Sequence, residues 1–139
     1  MRYPFDTTIA VTDGRSFRLF RNLGNEMEPR LEELPAPQIA AQSHGATRQH
    51  HQGEANPTER DLTENSHSAA VVDWLNDQVT AGHIRQLMIV APPRTLGALR
   101  PRYTSALRAK LLGELNREHT RDTVQRLQEA LSAAESPES

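Results

Sequence analysis

The chain has no cysteine among its 139 residues. That excludes disulfides, thiolate zinc sites and a cysteine nucleophile, and it fits a reducing compartment. Long apolar runs are missing as well. The longest wholly apolar stretch, Leu87 to Pro93, is far shorter than the ~20 residues a membrane-spanning helix needs. The N-terminus MRYPFDTTIAV lacks the apolar core of a secretory signal, so a cytoplasmic location is expected. Aromatic residues make up only 4%, too few for a platform that stacks single-stranded bases. Net charge is −2 with His neutral, whereas a generic nucleic-acid coat protein is strongly basic. No nucleophile elbow occurs. Asp6 and Asp13 lack further carboxylates at strand ends, so neither a catalytic triad nor a two-metal nuclease is expected. No cofactor is expected either.

What is present suits one domain over residues 1–135, followed by a frayed tail, Ser136 to Ser139. Thr7 to Thr12 alternates, with Ile9 and Val11 on one face, as a half-buried strand does. Asp13-Gly14 has the chemistry of a tight hairpin turn whose central residues take positive φ. Ser16 to Arg21 is the expected return strand. Met27 to Leu34 is the expected third strand, with Pro29 marking an edge or an irregular start.

The pattern then stops. Ala36 to Asn65 holds only Ile39 and Leu62 as large apolar residues and cannot bury enough surface to order itself. A loop of this length inside a compact domain is functional or disordered. A helix is expected from Asn65 or Ser66, with Val72, Leu75 and Val79 as its apolar stripe, Val71 and Trp74 widening it, and Gly82 ending it. Leu87 to Val90 is apolar on both faces, as in a covered parallel strand. Short helices are expected from Arg94-Thr95 to Pro101 and from Thr104 or Ser105 to Lys110. A last strand spans Leu111 to Asn116. A capping box of Asp122 and Gln125 opens a final helix striped by Val124, Leu127 and Leu131. The sum is a mixed α/β fold: a three-stranded antiparallel meander, then βαβ-type units with helices packed on the sheet.

Charge is unevenly placed. Arg94, Arg100, Arg102, Arg108 and Lys110 lie in a stretch without an acid, while Glu26, Glu28, Glu32 and Glu33 cluster against Arg30 alone. The basic stretch reads as a surface for RNA backbone or another polyanion, with Arg94-Thr95 at a helix opening and Tyr103 available for stacking. In the polar loop, His44, His50, His51 and Glu54 invite a metal reading. Adjacent His50 and His51 point apart in an extended chain, so a solvated loop is the plainer account and no metal site is expected. His50, His51, Gln52 and Gly53 form the candidate loop tip.

The opening TTIAVTDGRSFRLFRN and the segment LMIVAPPRTLGALR resemble the bacterial host-attachment family. That family is similar in turn to the middle domain of archaeal and eukaryotic peptide-release factors. The resemblance covers nearly the whole chain and implies a ribonuclease-H-like or ribosomal-protein-like fold. In the release factors, the loop between the third strand and the first helix carries a Gly-Gly-Gln tip that acts on peptidyl-tRNA. Here that loop is Ala36 to Asn65, and it has no Gly-Gly-Gln. The resemblance therefore implies a ribosome- or RNA-associated binding module more than an enzyme. The alternatives are release-type hydrolysis of peptidyl-tRNA through the loop, for which the resemblance makes Gln52 the catalytic candidate through a backbone N–H that could orient a water, or a protein–protein adaptor or stress protein.

Overall fold

The computed structural model describes residues 2–39 and 57–134, with 57–62 described by backbone alone. Three strands come first: β1 (Thr8–Thr12), β2 (Phe17–Asn22) and β3 (Leu31–Leu34). Then follow α1 (Pro57–Thr80), β4 (Leu87–Val90), α2 (Pro93–Leu99), a 3₁₀ turn (Arg100–Arg102), α3 (Ser105–Lys110), β5 (Leu111–Leu115) and α4 (Val124–Ala133). The strands form one sheet in the order β3-β2-β1-β4-β5. The β1–β2 and β2–β3 pairs are antiparallel, while β1–β4 and β4–β5 are parallel. This is the mixed sheet expected from the sequence, and it is compatible with a ribonuclease-H-like arrangement.

Every residue of β1 and β4 is buried because both strands lie inside the sheet with helices on both faces. On one face Ala10, Leu19, Leu87 and Ile89 pack with Val72, Leu75 and Val79 of α1, Leu96 and Leu99 of α2 and Leu107 of α3. On the other, Ile9, Val11, Phe20, Met88 and Val90 pack with Leu127 and Leu131 of α4. Burying each such aliphatic side chain stabilises the fold by roughly 1.5–3 kcal/mol. Phe17 meets Trp74 edge-on at 5.7 Å.

Several boundaries differ from the sequence reading. The helix expected from Asn65 or Ser66 starts at Pro57. Proline suits the first helical position, where its missing N–H leaves no bond unmade. The polar stretch 57–65 is therefore helical rather than loop. Of the expected loop, 36–39 is irregular chain, and 40–56 lies outside the described residues. The third strand begins at Leu31, not Met27, because Asn25 Oδ1 accepts the N–H groups of Met27 and Glu28 and folds them into a turn.

The Asp13-Gly14 turn also closes differently. Among described residues only Asp6 and Gly82 have positive φ. Asp13 uses its side chain instead: Oδ1 accepts from the N–H groups of Arg15 and Ser16 at 2.8 and 2.7 Å. The final helix is capped by Thr123, whose hydroxyl accepts from Arg126 N. Asp122, expected to cap it, bonds the His119 ring at 2.6 Å. Thr104 caps α3 as expected, accepting from Leu107 N.

Candidate functional site

The two short helices after β4 carry the basic stretch, and packing divides its members. Leu96, Leu99 and Leu107 enter the core, which fixes the turn between α2 and α3 against β5. Arg100 opens the 3₁₀ turn and reaches over β5. Its Nε and Nη2 donate to Glu114 Oε1 at 3.0 and 2.6 Å. Tyr103 Oη donates to the other oxygen of Glu114 at 2.6 Å. The guanidinium of Arg108 lies over the Tyr103 ring at 5.7 Å and donates to the Arg100 carbonyl at 3.4 Å. Between them lies an open groove of about 410 Å³, lined by Arg100, Tyr103, Arg108, Leu111, Gly113 and Glu114.

Electrostatics follow from this packing. Burial alone would raise the Glu114 carboxyl, but bonds from Arg100 and Tyr103 hold it below the usual carboxylate range. Glu114 is therefore ionised at neutral pH. Burial, and then the bond to Glu114, push the Tyr103 hydroxyl up. The lining holds two guanidiniums against one carboxylate, so it favours an anion.

The other predicted basic residues do not join this groove. Arg102 forks onto Asp73 of α1, at 3.1 Å to each carboxylate oxygen. Arg94 lies 3.8 Å from Glu64, also on α1. Lys110 is exposed at the end of α3 and is not part of the lining. Thr95 is buried and cannot present itself to a surface ligand. Nor is Tyr103 available for stacking: it is 8% exposed, it packs in the core, and Arg108 covers its ring. The loop-tip residues His50, His51, Gln52 and Gly53, with His44 and Glu54, lie outside the described residues.

Glu114 was not singled out by the sequence, although it completes the groove. It is 14 residues from Arg100 and on a different element. Alternation along the last strand separates it from Leu115, but only the packing of the 3₁₀ turn shows what it faces.

A second polar cluster gathers where β1 and β5 end. Thr120 Oγ1 lies 3.0 Å from Asp13 Oδ2 and also contacts Glu118 Oε2. His67 Nε2 meets the Ser16 carbonyl at 3.2 Å. Arg18 binds Glu33 and donates to the carbonyls of Thr120 and Asp122 at 3.1 and 2.6 Å. These bonds tie the β1–β2 hairpin to the segment before α4. Asp6 does not belong to the cluster. It lies before β1 and pairs with Arg21 at 3.5 Å, while Asp13 follows the strand's other end. Among the described residues no group of three or more His, Asp or Glu could hold a metal ion. No helix among them is long and apolar enough to cross a membrane.

Fold and groove together define a mixed α/β domain with an anion-favouring site beside its β5 edge. The chain matches bacterial archaeo-eukaryotic release factor family 12 over residues 6–131, and it belongs to that family. This bears out the release-factor relationship read from the sequence and supports a role connected with translation in general. No curated protein matches the chain.

Proposed function

We propose that the protein is a non-catalytic binding module that associates with the ribosome or with structured RNA in the cytoplasm. The polar segment 36–65 and the basic surface of α2 and α3 would be its contact elements. The host-attachment resemblance of the sequence belongs to the same reading. The observation that carries it is the convergence of Arg100 and Arg108 on one open groove, because RNA backbone is recognised through its phosphates. Membership in a release-factor-related family makes the ribosome the natural place to look.

Sedimentation through a sucrose gradient at low salt tests the proposal. The wild-type chain is expected with the ribosomal fractions, and Arg100→Gln with Arg108→Gln should shift it toward the top. A wild-type chain that stays at the top at low salt would sink the reading.

A further inference from the structure

Resting on that reading and going beyond it, we infer that the groove is a built clamp for one phosphate group, not a diffuse basic patch. Arg100 and Arg108 are its two contacting residues, and Glu114 positions the first of them.

An arginine carries five N–H donors in a rigid fork. Glu114 takes two of those of Arg100, the Nε–H and one on Nη2, leaving three. The Glu114 side chain is only 17% exposed, while that of Arg100 is 54% exposed. The carboxylate is thus the fixed inner partner and the guanidinium its solvent-facing extension. Glu114 is itself anchored on its other oxygen by Tyr103, whose ring is in the core. Arg108 is held by the face of that same ring and by the Arg100 carbonyl. Both guanidiniums are therefore restrained before any ligand arrives, which lowers the entropy cost of binding.

The alternative role for Glu114, a competitor that a ligand must displace, is disfavoured. Displacement would strip a carboxylate whose side chain is only 17% exposed of both its Arg100 bonds, leaving it to the Tyr103 hydroxyl. Two planar forks with spare parallel donors match the tetrahedral oxygens of a phosphate ester. Arg102 instead faces Asp73, an acid itself 54% exposed, and Arg94 lies 3.8 Å from Glu64; neither is among the residues that line the groove.

The charge-conserving change from Arg to Lys separates a clamp from a patch. Lysine keeps the charge but cannot bond Glu114 and a phosphate in one plane, nor stack as well on Tyr103. The full chain is titrated with an RNA hairpin lacking terminal phosphates, and separately with inorganic phosphate while the arginine Nε–Hε NMR signals are followed. Arg100→Lys and Arg108→Lys are each expected to weaken hairpin binding about tenfold without changing the slope against salt, while Arg102→Lys has little effect. Phosphate should move the signals of Arg100 and Arg108 in the wild type. Should Arg100→Lys misfold, Arg108→Lys and these signals still decide.

Glu114→Ala should weaken binding even though it removes a negative charge, and Glu114→Gln, which keeps an acceptor oxygen for Arg100, should restore it. Tighter binding by Glu114→Ala would make Glu114 a competitor and overturn its positioning role. Hairpin binding that both lysine variants preserve would overturn the clamp and leave the RNA reading intact. Phosphate shifts without hairpin binding would keep the clamp and remove RNA as its ligand. No shift and no binding would overturn both.

Discussion

Asp13 shows how much one side chain can organise. Burial would raise its carboxyl, but N–H bonds from Arg15 and Ser16, the Thr120 hydroxyl and the charge of His67 hold it below its usual value. Glu33 is lowered chiefly by its bond to Arg18, and Glu114 is lowered by Arg100 and Tyr103 against its burial. A carboxyl with a lower pKa in the folded than in the unfolded chain contributes stability at pH values above the unfolded pKa. That contribution disappears as pH falls through the folded value. Through these carboxyls, denaturant midpoints should therefore fall below about pH 4, where unfolded carboxyls protonate. Asp13→Asn keeps an acceptor oxygen but cannot titrate, so its acid limb should be shallower. An acid limb identical to that of the wild type would rule out Asp13 as a contributor.

Tyr3 gives the opposite case. It is 1% exposed, and its hydroxyl has no partner among the described residues. Burial pushes its pKa up to about 12. An unpaired buried hydroxyl costs ~1–3 kcal/mol, so Tyr3→Phe is expected to be neutral or to stabilise by about 1 kcal/mol. Equilibrium unfolding of the variant measures this, and a loss above ~1 kcal/mol would show that the hydroxyl is satisfied.

At the scale of elements, α1 depends on its C-terminal stop. Gly82 takes φ +83°, its N–H bonds the Val79 carbonyl, and the N–H of His83 reaches back to Gln78. This is a Schellman closure, which needs a left-handed residue at that position. A Cβ at Gly82 meets no atom within 4 Å, so backbone strain alone sets the cost of a substitution. Gly82→Ala is expected to destabilise by ~1–2 kcal/mol, and Gly82→Asn by less, in urea unfolding. Equal losses would mean that φ at this position is not the controlling quantity.

The apolar stripes that place α1, β4 and α4 were legible because period and burial agree there: Val72, Leu75 and Val79 face the sheet, as do Leu127 and Leu131. Ends were less legible. Asn65 and Ser66 have capping chemistry, yet the helix runs through them from Pro57. Asp122 has it too, but its carboxylate goes to His119 and Thr123 takes the cap. Several residues could serve at each end, and contacts made elsewhere choose among them.

Across the whole molecule, the near-neutral net charge hides a division of labour. Acids of α1 neutralise Arg102 and face Arg94. Arg100 and Arg108 remain at the groove, with one carboxylate between them. Association through so few phosphate contacts should depend only modestly on salt, with log affinity falling against log salt by about 0.7–0.9 for each phosphate neutralised. A slope of several units in the binding titration would point to a broad basic face instead of the groove.

Taken alone, the sequence determined the fold class, the strand order of its antiparallel half, the core stripes and the family resemblance. The first three rest on local periodicity and turn chemistry, which neighbouring residues encode, whereas the resemblance rests on the segments TTIAVTDGRSFRLFRN and LMIVAPPRTLGALR. It also marked out the basic stretch, but it could not rank the members. Only the tertiary structure decided that Arg100 and Arg108 share a groove, that Arg94 and Arg102 face acids of α1, and that Thr95 and Tyr103 are buried. The arginine pairings depend on Glu64, Asp73 and Glu114, which lie on other elements, and the burial of Tyr103 depends on core packing, so no local pattern in the chain could have announced them.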